Sequence, residues 1–281
     1  MRTLSPSPIH TESTICLIIG DPVSHSLSPR MHGAGYRATG LADSFVYGAS
    51  RVSPEGLPDA IAGIRSLGIR GVSVTMPHKE AVIPLLDELD KDAQALGAVN
   101  TIVNENGVLI GYNTDWFGIA TPLADALKKS PIAPTNHSAL ILGAGGAARA
   151  AAFALRSLSI PFTVTSRTEE RAEIVATLFG GSTCPWDDRH TVRASIFINT
   201  TPLGMPNAPI SSPISPTVWS PTTIAFETVS VPRETHFLTE ARSASAFTIQ
   251  GISMLLWQGV KQFELFTGHP APVDAMREAL G

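Results

Sequence analysis

The sequence predicts an α/β protein of two domains, an N-terminal α/β domain followed by a doubly wound, Rossmann-type domain. Three observations predict it. Short β-branched runs alternate with segments of helical length, the pattern of βα units on a parallel sheet. The run ALIL opens directly into the glycine-rich turn GAGG and an alanine-rich helix, a second strand–turn–helix start. A Pro/Ser/Asn stretch at 130–138 separates that start from everything before it.

The elements follow in order. Residues 1–13 read as a flexible tail, then strands are expected at 15–19, 44–49, 71–76 and 99–103, with helices at 28–39, 54–67 and 91–96 between them. The turn NENG at 104–107 joins 101–103 to 108–112, so a hairpin closes this half. A helix from Asp115 to about Lys129 leads to the linker. Beyond the glycine turn, strands are expected at 162–166, 195–199 and 222–226, and the last forty residues read as helices at 252–266 and 273–280. The domains implied are 14–115 with 252–281 returning to it, and 116–251, with a cleft between them.

Composition narrows the function. The chain has 281 residues, 43% hydrophobic and 16% charged, with a formal net charge of −4 and no dense basic tract, so it has a real core and no nucleic-acid footprint. Its two cysteines, Cys16 and Cys184, imply neither a disulfide framework nor a metal site, and Cys16 lies inside an apolar run as a core residue. No apolar run has the length of a membrane span, and no signal-peptide pattern precedes the first strand. A cytoplasmic protein, monomer or homodimer, acting on a small molecule is expected.

The second domain carries a dinucleotide fingerprint. In GAGGAA, Gly143 permits the tight turn, Gly145 lets the backbone approach a pyrophosphate, and Ala148 lets the helix pack closely, with Gly146 and Ala147 completing the cradle. The pyrophosphate would rest on the positive helix N-terminus. The next strand ends in Ser166, Arg167 and Thr168, with Arg171 a turn on, where an NAD site would carry an acidic residue. A guanidinium fork matches a phosphate, so NADP is expected as cofactor. Glu169 and Glu170 oppose that charge but also suit a helix N-terminus. The run NTTPLGM places Thr200 and Met205 on a strand-end loop facing the cofactor, although a lone methionine also suits a core.

The first domain is rich in polar strand ends. Ser26 and Ser28 alternate ahead of Pro29, which makes Ser28 the expected N-cap and the pair a carboxylate site. His25 reads as a structural hydrogen bonder. The runs GVSVTMPHK, AVNT and GYNTDW bring Thr75, Lys79, Asn100, Thr101, Asn113 and Asp115 to strand ends or just beyond, with Lys79 near the start of a helix. A lysine on a helix is commonly just solvated, and Asp115 alone would serve as an N-cap. Together they suggest a proton relay. With a reference pKa near 10.4, the lysine needs desolvation or tuning to act as a base.

The ordered set SLSP, VSVTMPHK, AVNT, GYNTDW, GAGGAAR, SRTEER, NTTPLGM and MLLWQGVKQFELFTG, from Gly20 to about Gly268, resembles the shikimate dehydrogenase family, with phrases similar to its shikimate dehydrogenase-like branch. The resemblance implies NADP-dependent reduction of 3-dehydroshikimate to shikimate, in aromatic amino acid biosynthesis. It implies Lys79 and Asp115 as the catalytic pair, and Ser26, Ser28, Ser73, Thr75, Asn100 and Gln258 as substrate contacts. Arg167, Thr168 and Arg171 match the family's clamp on the 2′-phosphate, and Gly251 falls in its late cofactor-side motif. Four residues depart from the family pattern. Ser73 stands for the usual Asn, Ser230 for a Tyr, Glu227 for an Asp, and Gln250 precedes Gly251 in place of Asp. These leave quinate, or a related ring acid, as the alternative substrate. A ligand-sensing protein on the same scaffold is the alternative of another class, disfavoured because a sensor needs no hydride carrier.

Overall fold

The computed structural model describes residues 12–129, 136–206 and 208–281, so most of the expected tail and residues 130–135 of the expected linker lie outside it. The first half runs β1 (Thr14–Gly20), α1 (Ser28–Ala38), β2 (Phe45–Arg51), α2 (Leu57–Ser66), β3 (Gly71–Val74), β4 (Glu88–Leu89), α3 (Lys91–Leu96), β5 (Thr101–Glu105), β6 (Val108–Tyr112) and α4 (Asp115–Leu127). The second half runs β7 (Ala139–Leu142), α5 (Gly146–Ser157), β8 (Phe162–Thr165), α6 (Glu169–Phe179), β9 (Ser182–Thr183), β10 (Ile196–Asn199), β11 (Ile224–Glu227), α7 (His236–Ser243), β12 (Phe247–Ile249), α8 (Gly251–Thr267) and α9 (Val273–Leu280).

Among the described residues two six-stranded sheets result, ordered β2-β1-β3-β5-β6-β4 and β12-β11-β10-β7-β8-β9. The second is parallel throughout, as βα alternation requires. The first is mixed, because a two-residue turn can only return the chain antiparallel. Thus β5 and β6 form the expected hairpin, and β5 runs antiparallel to β3. Ile19, Val72, Val74, Ile102 and Leu109 fill the first core, and Leu140, Leu142, Phe197, Ala225 and Phe237 the second.

By backbone contacts the chain forms two compact units, 1–114 with 259–281, and 115–258. The boundary at the late helix therefore falls at Gln258, not at residue 252. A long helix does not break where a family motif begins, and the first turns of α8 pack on α4, where Gly118 faces the Met254 carbonyl. Phe263 and Phe266, two turns on, lie against Gly35 and Gly71 of the first unit.

Several element ends differ from expectation. Helix α2 starts at Leu57, since Gly56 closes a turn on Ser53 and Pro58 is tolerated only in a first turn. Lys79 lies in a run of turns and not in a helix: Pro77 and Pro84 bracket it too closely for propagation, and only a 3₁₀ turn forms at Ile83–Leu85. Strand β5 starts two residues late because the Val99 amide bonds the Lys79 carbonyl.

Candidate active site

In the first unit one buried hydrogen-bond chain collects three of the expected substrate residues. The Tyr47 hydroxyl donates to Ser73 Oγ at 2.6 Å, which donates to Gln262 Oε1 at 2.8 Å. Gln262 Nε2 donates to Thr101 Oγ1 at 2.9 Å and to the Asn100 carbonyl at 3.2 Å. Thr101 donates to Asn100 Oδ1 at 2.9 Å, and Asn100 Nδ2 to Thr114 Oγ1 at 3.0 Å. Burial pushes the Tyr47 phenol well above its ordinary range, against hydrogen bonds with Ser73 and Ser28 that draw it down. Ser28, Ser73 and Asn100 are thus joined through Tyr47 and Gln262, two residues the sequence reading did not single out.

Register explains the convergence. Ser73 of β3 pairs with Thr101 of β5, and Thr101 with Tyr112 of β6, so the polar residues of three strands meet at one level. Below them His32 stacks on Tyr47, with ring centroids 4.3 Å apart and planes 4° from parallel. Burial lowers the His32 pKa to about 3, so the ring is neutral.

The expected N-cap role of Ser28 is not found. Leu27 is the cap position of α1 without a side-chain bond, and Ser28 is its first residue. Ser26 Oγ accepts from the Ser28 amide at 3.3 Å instead. The reason is that the Met31 amide, which a Ser28 cap would take, bonds the Leu27 carbonyl at 3.0 Å, so the helix starts one residue earlier, and the buried Ser28 side chain bonds Tyr47. Lys79 is half-buried, and its turn is pinned by His78, whose Nε2 lies 2.7 Å from the Val52 carbonyl. His25 is exposed. Asp115, buried, opens α4, and Gln258 turns its amide onto the Leu255 carbonyl at 2.8 Å; both belong to the second unit.

The second unit places the expected cofactor residues, Gly251 apart, at the carboxyl ends of β7, β8 and β10, and Gly251 follows β12. Gly143 has φ +116°, which favours glycine, and a Cβ there would lie 2.5 Å from Thr200 Oγ1. No described residue would meet a Cβ on Gly145 or Gly146, so the backbone above them is open to that extent, and α5 begins there with no side-chain cap. Uncapped N–H groups over open space fit a pyrophosphate. Ala148 is fully buried under the turn. The Thr168 amide bonds Ser166 Oγ at 3.3 Å, and Arg167, Thr168 and Arg171 are exposed, free to meet a phosphate. Met205 is half-buried on the loop after β10. Gly251 has a packing reason of its own, since a Cβ would overlap the Val229 carbonyl.

Among the described residues, no helix is long and apolar enough to cross a membrane. The family model described as the shikimate dehydrogenase substrate binding domain matches residues 18–102, and that of the shikimate 5′-dehydrogenase C-terminal domain matches residues 251–280. A shikimate dehydrogenase (NADP(+)) of Desulforamulus reducens is 40% identical over 97% of this chain and 96% of its own. A crystallised shikimate dehydrogenase in complex with NADP+ superposes with a TM-score of 0.88 at 37% identity, covering 98% of this chain and 97% of its own. The Thermus thermophilus enzyme, in complex with NADP(H) and shikimate, gives 0.84 at 37% identity, over 95% and 98%. The chain belongs to the shikimate dehydrogenase family.

Proposed function

We propose that this protein is an NADP-dependent shikimate dehydrogenase, reversibly reducing 3-dehydroshikimate to shikimate in the cytoplasm, a step of aromatic amino acid biosynthesis. The observation that carries this is the kinship over nearly the whole chain with relatives of that name, joined to an open glycine turn that fits a dinucleotide. When bound, the cofactor supplies or accepts the hydride.

The chain's residues do the rest. Lys79 gives a proton to the carbonyl oxygen as it becomes a hydroxyl, and takes it back in the reverse direction, with Asp115 as its catalytic partner. Ser26 and Ser28 hold the substrate carboxylate, and Ser73, Thr75, Asn100 and Gln258 the ring hydroxyls. Gly143, Gly145, Gly146, Ala147 and Ala148 form the pyrophosphate cradle. Ser166, Arg167, Thr168 and Arg171 hold the 2′-phosphate end, and Thr200, Met205 and Gly251 border the nicotinamide. The substrate domain is the first unit, 14–114 with the returning residues 259–281, and the cofactor domain lies between.

The test is steady-state NADPH formation with shikimate and then quinate, repeated with NAD+. The expected result is the largest kcat/KM for shikimate with NADP+. Lys79→Ala should lower kcat by about 10²- to 10⁴-fold with a smaller change in KM. Removing the Ser26 and Ser28 hydroxyls should mainly raise KM. Turnover of quinate alone would overturn the substrate, preference for NAD+ the cofactor, and near-normal kcat in Lys79→Ala the proton relay.

A further inference from the structure

Glu227, at the carboxyl end of β11, is a carboxylate with 0% exposure. Its Oε1 accepts from the Thr228 amide at 2.8 Å and the Val229 amide at 3.0 Å. Its Oε2 accepts from the Thr235 hydroxyl at 2.8 Å, and Asn199 Nδ2 lies 3.0 Å from both oxygens. Asn199 Oδ1 in turn accepts from the Thr201 amide and hydroxyl, at 3.0 and 2.7 Å. One side chain therefore ties together the loop after β10, the loop after β11 and the cap residue of α7. Burial raises its pKa, while the Val229, Asn199, Thr235 and Thr228 donors draw it back.

The sheet order says what those loops do. The strand after β7 lies to one side and β10 to the other, so the chain reverses between β7 and β10, and ligands bind beyond such a switch point. The 2′-phosphate residues Arg167 and Thr168 follow β8, on one side. The nicotinamide half must then fall on the side of β10 and β11, where Thr200 borders Gly143 and Val229 borders Gly251.

We propose that Glu227 is a positioning residue that locks the loops after β10 and β11 into one shape and so sets the protein's grip on the nicotinamide half of the dinucleotide. An ionised carboxylate accepts only, so it satisfies donors from three segments at once. A glutamine cannot, because its N–H₂ would face other donors. The inference rests on the NADP reading and deepens it.

The test measures dissociation constants of NADPH and of adenosine 2′,5′-bisphosphate, which has no nicotinamide half, for the full chain and its Glu227→Gln variant. The NADPH constant should rise about tenfold. The bisphosphate constant should stay within about twofold. Equal weakening of both, or no change in either, overturns the inference. Where Glu227→Gln does not yield folded protein, Thr235→Val removes one donor and leaves the charge in place. It should weaken NADPH alone by about threefold, and equal effects on both ligands overturn the inference in the same way. Wild-type protein that bound the bisphosphate no better than 5′-AMP would instead overturn the NADP reading, and this inference with it.

Discussion

The two units hold their strand ends together by different chemistry. In the first, Tyr47, Ser73, Gln262, Thr101, Asn100 and Thr114 form a neutral chain of hydroxyls and amides, each passing one hydrogen bond to the next. In the second, one buried charge, Glu227, collects donors from three segments. A neutral chain can shed one link while its hydroxyls rotate to new partners. A charged hub cannot, because every donor around it faces the same acceptor. The neutral chain should bend under substitution and the hub should fail.

The sharpest test sets the centres side by side. Glu227→Leu leaves buried donors without an acceptor and should lower the unfolding free energy by about 3–5 kcal/mol. Gln262→Leu takes the acceptor from the Ser73 hydroxyl and a donor from the Thr101 oxygen, while the Asn100 carbonyl keeps the Val74 amide, and it should cost about 2 kcal/mol. Urea unfolding of both measures this, and equal losses would remove the distinction.

A second test uses pH. His32, held neutral with its pKa lowered to about 3, stays unprotonated in the fold while the unfolded histidine titrates near its model value of 6.5. Its share of stability is therefore present above pH 6.5 and is lost as pH falls toward 3. Between pH 7 and 5 the loss should be about 2 kcal/mol. His32→Phe should flatten that part of the urea-midpoint profile, and an unchanged slope would remove His32 from the account. The smallest effect belongs to Tyr47→Phe, which removes the first link and should cost about 1 kcal/mol. A loss as large as that of Glu227→Leu would show that the chain too behaves as a hub.

Much of this was legible in the sequence, and the physical reasons divide cleanly. Backbone-dictated features were readable: Gly143 announces its turn because a φ of +116° favours glycine, and NENG announces its hairpin. The polar strand-end residues stood out in their apolar runs, and the family resemblance added the roles expected of them. Helix status around Lys79 was misread, since periodicity does not weigh two prolines seven positions apart. Gln262 and Glu227 went unassigned for a different reason. Each acts through partners distant in sequence, Ser73 and Asn199 among them, and such pairs show only once strands are in register. The exchange of Asp for Glu at 227 was noticed, but nothing in one sequence says that its carboxylate will be enclosed.

The division of the first unit carries a consequence for synthesis. Its core includes Phe263 and Phe266, which lie against Gly35 and Gly71, yet the whole second unit is translated in between. On the ribosome the first unit must wait, incomplete, until residues 259–281 emerge, with the apolar face of β3 without its cover. Nascent chains stalled before Gly259 should therefore be cut readily by protease within residues 14–114, and protection there before α8 emerges would show that the first unit closes without it.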